Sequence, residues 1–133
     1  MTEPTVAHDV IHRLINGIVD QQWHTLGELY ADDAVVTHPF AVPEPTRTEG
    51  AALRKRFTES AGMPLKLTAS NIVIHQTADP EVFVVEYDYH VVGTKTGREL
   101  DTANILVMHI RDGKIVSSRD YHNHGVFAAA VTK

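Results

Sequence analysis

The sequence predicts an α+β fold in which three helices cover one face of a mostly antiparallel sheet. Three observations predict it. Apolar residues recur with helical period between residues 5 and 20. The second half of the chain alternates with period 2 and carries an Asp-Gly turn. Helical and strand segments are segregated instead of alternating, which argues against a parallel α/β sheet.

The first helix is the clearest element. Val6, Val10, Leu14 and Ile18 recur every fourth residue, with Ala7, Ile11, Ile15 and Val19 beside them. Together they make one wide apolar face. Thr2 or Thr5 can cap this helix, and Pro4 suits its first turn. A short second helix follows, with Trp23, Leu26, Leu29 and Tyr30 on one face, until Asp32-Asp33 breaks the pattern. Ala34–His38 reads as a strand ended by Pro39. Residues 39–48 hold Pro39, Pro43 and Pro45 and read as a loop that could close over a site. Gly50–Ala61 is a third helix, with Ala52 or Leu53, Phe57 and Ala61 inward, stopped by Gly62 and Pro64.

Four strands complete the chain. Leu65–Gln76 changes phase near Ser70-Asn71, the sign of a bulge. Glu81–Val92 places Phe83, Val85, Tyr87, Tyr89 and Val91 on one face and Glu86, Asp88 and His90 on the other. Gly93–Gly97 is a turn before the strand Leu100–Ile110. Asp112-Gly113 between apolar runs predicts a hairpin into Ile115–His122. Residues 125–133 read as a loose tail.

Composition narrows the function. The chain has 133 residues, 43% hydrophobic, with no repeat or linker, so residues 1–133 are expected to form a single domain. It has no cysteine, which excludes disulfides, thiol catalysis and Cys-ligated metal sites. The net charge of −5 argues against nucleic-acid binding. No apolar run approaches the roughly 20 residues that span a bilayer. The N-terminal MTEPTVAHDV lacks the pattern of a secretory signal, so a soluble, cytoplasmic domain is expected. Nine histidines are unusual, and histidine titrates nearest neutrality.

The order of elements, with LYADDAVVTHP at 29–39 and IRDGKIVSSRDYHN at 110–123, resembles the nuclear transport factor 2-like superfamily. Its members include ketosteroid isomerases, SnoaL-like polyketide cyclases, limonene epoxide hydrolases and PhzA/PhzB-like proteins. The resemblance covers roughly residues 6–124 and implies a cystatin-like cone, in which a curved, mixed, mostly antiparallel sheet holds the helices in its concave face around an internal pocket. Fold alone does not name the chemistry. The resemblance also removes activities. Where ketosteroid isomerases carry a tyrosine and two aspartates, this chain has Leu14, His38 and Leu106. The Arg-x-Asp of limonene epoxide hydrolases is missing from Thr102, Asn104, Leu106 and Met108. Asp120 survives, at a place where SnoaL-like cyclases and epoxide hydrolases use an acidic residue.

Asp120, His38 and His122 are therefore the candidate catalytic residues. Period 2 puts Ser118, Asp120 and His122 on one face of the last strand, and an adjacent carboxylate and imidazole form an acid–base pair. His38 ends the first strand, a site that the resemblance implies projects into the pocket, where a neutral imidazole could take a proton from carbon. The candidate ligand-binding set adds Asn104, Tyr87, Tyr89, Phe40, Leu14, Ile18, Phe57, Leu106, Met108 and Ser118. A tyrosine or Asn104 would steady a developing oxyanion. Two histidines with Asp120 could hold a metal, but His122 and His124 fall where the strand ends and the resemblance implies metal-free chemistry, so no metal or other cofactor is expected. His8, His12, His24, His75 and His109 show no partner in the sequence and read as surface residues or filler.

The function expected is proton transfer at carbon (isomerisation, cyclisation, or lyase or hydratase chemistry) on an apolar, cyclic or polyketide-like ligand, with no conventional steroid isomerisation. The alternatives are a non-catalytic binding protein and an association domain. The resemblance also implies a homodimer through the outer sheet face.

Overall fold

The computed structural model describes residues 4–132, with side chains from Val6 onward. Thr2, one of the two proposed caps, lies outside the described residues. Helix α1 (Pro4–Val19) buries Ala7, Val10, Ile11, Leu14 and Ile15. Each fully buried aliphatic chain on this face contributes about 1.5–3 kcal/mol. Helix α2 (Trp23–Leu26) runs into a 3₁₀ turn at Gly27–Leu29. Strand β1 (Tyr30–His38) starts earlier than expected, so Tyr30 belongs to the sheet and not to the second helix. Asp32 and Asp33 are both exposed there, and sit within a strand, not at a helix end.

Strand β2 (Thr46–Glu49) occupies the end of the segment expected to be a loop and pairs antiparallel with β1. Helix α3 (Gly50–Ser60) follows at once. Strands β3 (Leu65–Gln76), β4 (Val82–Gly93), β5 (Glu99–Arg111) and β6 (Lys114–Tyr121) complete a six-stranded sheet among the described residues, ordered β2-β1-β6-β5-β4-β3. Every neighbouring pair is antiparallel except β1 and β6, which run parallel. The bulge expected near Ser70-Asn71 is present: pairing steps from Ser70↔Asp88 to Val73↔Glu86, and Asn71 has φ 56°. The β5–β6 hairpin turns on Asp112 (φ 52°) and Gly113 (φ 74°), the two positive φ values of a type I′ turn.

The segment read as a loose tail is helix α4 (His124–Val131), capped by Asn123, whose side chain accepts from the Val126 N–H. It packs on β4 and β5, with Ala130 fully buried. Gly93 is what lets it close. A Cβ there would lie 2.0 Å from the Ala130 carbonyl oxygen, which also accepts the Thr96 hydroxyl. Gly93→Ala is therefore expected to cost about 2–3 kcal/mol by forcing α4 outward, read as a lowered midpoint in urea unfolding. A midpoint equal to wild type would show that α4 is not held at this point.

On the outer sheet face His75 is exposed as expected, but it and His109 have partners that the sequence did not show. His75 pairs with Glu86 at 2.6 Å and His109 with Glu81 at 2.9 Å. Their partners lie on neighbouring strands or at a strand end, so local sequence does not display them. His90 lies between Asp101 (2.7 Å) and Glu99 (3.0 Å), whose hydrogen bonds raise its pKa. No helix among the described residues is long and apolar enough to cross a membrane.

Candidate functional site

Strand alternation delivers the first two groups. In β1, Ala34, Val36 and His38 are buried in step; in β6, Ser118 and Asp120 face the same way. The parallel register pairs Val36 with Ser118, which brings His38, two residues on, level with Asp120. The Asp120 Oδ2 lies 3.6 Å from His38 Nε2 and 3.8 Å from His122 Nε2. These are ion-pair separations too long for hydrogen bonds. Oδ1 accepts the Ser118 hydroxyl at 2.5 Å. Among the described residues no backbone amide donates to this carboxylate, so it is not saturated.

His122 follows the end of β6 and His124 opens α4. Both still turn toward His38, with ring centroids 5.2 Å (stacked) and 5.7 Å (edge-on) away. His122 Nδ1 and His124 Nε2 are buried without a hydrogen-bond partner.

Arg56 on α3 sets the state of His38. Its Nη1 donates to His38 Nδ1 at 3.3 Å and to Thr48 Oγ1 at 3.2 Å. A guanidinium has only donors, so Nδ1 must be the accepting nitrogen. Neutral His38 then carries its proton on Nε2, toward Asp120. Burial lowers the His38 pKa to about 4; Asp120 opposes this, while Arg56, His122 and His124 add to it. His124 is lowered too, by burial and then by His122 and Arg56.

These groups form the polar end of a cavity of about 240 Å³ inside the cone. Its walls are apolar: Leu14 and Ile18 from α1, Trp23 from α2, Phe57 from α3, Leu106 from β5 and Phe127 from α4. Tyr87 and Tyr89 add two hydroxyls 2.9 Å apart, and Asn104 Nδ2 donates to Tyr87 at 2.8 Å. Burial raises both phenol pKa values, that of Tyr89 to about 12, so both stay protonated at neutral pH.

Of the residues singled out in the sequence, His38, Asp120, His122, Tyr87, Tyr89, Leu14, Ile18, Phe57 and Leu106 line this cavity. Asn104 and Ser118 stand behind the wall and act on it through Tyr87 and Asp120. Met108 is not in the wall but fully buried, paired across strands with Phe83. Phe40 is a correction: it is 65% exposed, packs edge-on against Tyr121, and lines an open outer groove of about 450 Å³. The turn closed by Ala41 N–H to the His38 carbonyl ends the alternation that would have carried Phe40 inward. Arg56, His124 and Phe127 were missing from the candidate set. Leu53, Arg56, Phe57 and Ser60 stand at i, i+3, i+4 and i+7 and share the cavity face of α3, a spacing that could have revealed Arg56.

His38, Asp120 and His122 each offer one ligating atom, all within 4.8 Å, a two-histidine, one-carboxylate donor set. The Arg56 hydrogen bond opposes its use: with Nδ1 accepting, Nε2 of His38 holds the ring proton and has no lone pair to give.

Comparison with known proteins agrees with this architecture. The chain is 28% identical over 128 residues to the uncharacterised protein YesE of Bacillus subtilis, covering 92% of this chain and 85% of that protein. It is 31% identical over 101 residues to an uncharacterised PhzA/B-like protein of Pseudomonas aeruginosa, covering 72% and 69%. A crystal structure from Bacillus subtilis, provisionally named an isomerase, superposes with a TM-score of 0.88 at 26% identity over 98% of this chain and 95% of that one. A provisionally assigned polyketide cyclase of Xanthomonas campestris shares the fold, with a TM-score of 0.78 at 18% identity over 96% and 98%. Residues 11–118 match the SnoaL-like domain, and the chain belongs to that family within the nuclear transport factor 2-like superfamily.

Proposed function

We propose that this protein is a small-molecule enzyme that moves a proton at carbon, in isomerase or cyclase chemistry. The observation that carries this reading is the pair Asp120 and His38, 3.6 Å apart at the polar end of an otherwise apolar cavity. Two adjacent atoms of one ligand can meet the two groups. Asp120 takes the proton from a carbon beside a carbonyl. The electron pair moves to the carbonyl oxygen, which accepts a hydrogen bond from His38 Nε2–H and, in reach of the cavity wall, from a tyrosine hydroxyl. Return of the proton from Asp120 to a different atom completes an isomerisation; attack of the carbanion on a second carbonyl carbon, whose oxygen then takes the proton held by Asp120, completes a cyclisation.

Size limits the ligand. At about 240 Å³ the cavity lies below the range of roughly 300–1,000 Å³ that holds drug-sized molecules. One or two rings fit this reading better than a four-ring skeleton. Incubating the protein in D₂O with a panel of small cyclic ketones and 1,3-dicarbonyls tests it. Loss of the C–H signal next to the carbonyl, followed by proton NMR, is expected to run above the buffer rate for at least one member. Binding of panel members without any faster exchange would instead favour the carrier reading, which the leucine at position 106 supports by removing one family aspartate.

A further inference from the structure

Arg56 brings a positive charge to the cavity with no carboxylate beside it. Its neighbours on α3 are matched: Arg54 pairs with Asp32 at 3.1 Å and Lys55 with Glu59 at 3.9 Å. Arg56 forms no ion pair among the described residues. Its Nη1 contacts two neutral acceptors, and Asp120 stands on the opposite side of the His38 ring. Nε and Nη2, the side-on fork of the guanidinium, make no hydrogen bond among the described residues. That fork matches a carboxylate with two parallel bonds. Arg56 is half-buried, and beside apolar walls an opposite charge brought to it is attracted more strongly than one at an open surface.

We propose that Arg56 is the receptor for an anionic group, so that the ligand of this cavity is a small organic acid: a carboxylate on a body of one or two rings. This rests on the small-molecule reading of the same cavity and gives it a substrate class. It also orients the ligand. The acid end goes to Arg56, and Asp120 repels it, so the neutral end of the molecule faces the proton-transfer pair.

The chain carries its own reporter, because its single tryptophan, Trp23, stands in the cavity wall. Cyclohexanecarboxylate and cyclohexanecarboxamide have nearly the same shape and differ in charge. Titrated at neutral pH and followed by Trp23 fluorescence, the acid is expected to bind at least ~10-fold more tightly than the amide. Arg56→Gln is expected to bring the ratio close to one, and Arg56→Lys to keep part of it. Because each ratio is taken within one protein, a general loosening of the site cancels. Equal affinities in wild type, or a preference that survives Arg56→Gln, overturn the proposal and leave the cavity reading standing. If neither probe binds, both fall. Should Arg56→Gln fail to fold, the wild-type ratio and that of Arg56→Lys still decide it.

Discussion

Asp120→Asn is expected to slow proton exchange at carbon by about 10²–10⁴-fold, the contribution usual for a positioned general base. The fold is expected to survive. Asparagine matches aspartate in volume, and its carbonyl oxygen can still accept the Ser118 hydroxyl that now reaches Oδ1. What it cannot do is receive a proton, since an amide oxygen is far less basic than a carboxylate. The measurement is exchange in D₂O by NMR, paired with urea unfolding and with ligand titration through Trp23. Lost exchange with an unchanged unfolding midpoint and retained binding is the expected combination. Wild-type exchange in the variant would take Asp120 out of the mechanism. A collapsed midpoint would mean that the carboxylate is chiefly a fastening between β6 and its neighbours.

The site was half legible in the sequence, and the division has a physical cause. Period-2 alternation is local, so it put Ser118, Asp120 and His122 on one face of their strand, and the family resemblance turned that face and His38 toward the pocket. Their meeting depends on the parallel pairing of β1 with β6, which joins segments some eighty residues apart and leaves no local mark. Arg56 was hidden for a different reason. Within Arg54-Lys55-Arg56 it looks like one of three surface cations unless its i+3 spacing from Leu53 is followed, and the geometry shows Arg54 and Lys55 paired outward while Arg56 turns to His38. Helix α4 was missed because an alanine run after Gly125 has no amphipathic period to read; it is held by docking, at Gly93 and through Thr96, more than by its own pattern. Phe40 shows the converse. Alternation carried one step past the end of a strand points a side chain inward, and a turn sends it out. His75 and His109 are similar cases, since their carboxylates are neighbours in space only.

Acidification is expected to expose His38 as the weak point of the fold. In the native state burial holds its pKa at about 4, whereas in the unfolded chain it titrates near the ordinary value of about 6.5. Between those two values the unfolded state binds the extra proton, so stability falls as pH falls. The loss begins as pH drops through about 6.5 and is complete below about 4, and the shift corresponds to up to about 3 kcal/mol. The groups facing the ring fix the sign. Asp120 favours the charged imidazolium, but Arg56, His122 and His124 oppose it together with burial. His124, lowered by burial, works in the same direction. Urea unfolding of wild type and His38→Gln at pH values between 7.5 and 4 measures the effect. Glutamine can still accept from Arg56, and it does not titrate. The variant is therefore expected to lose less stability over that interval than wild type. Parallel curves would mean that His38 takes its proton as readily in the fold as outside it. It could then serve as an imidazolium acid near neutrality, and the assignment of Nε2–H as a neutral hydrogen-bond donor would give way. The catalytic consequence is the sharper one. A His38 that stays neutral cannot account for any loss of activity seen between pH 7 and 5, so such an acid limb would have to come from a group other than His38.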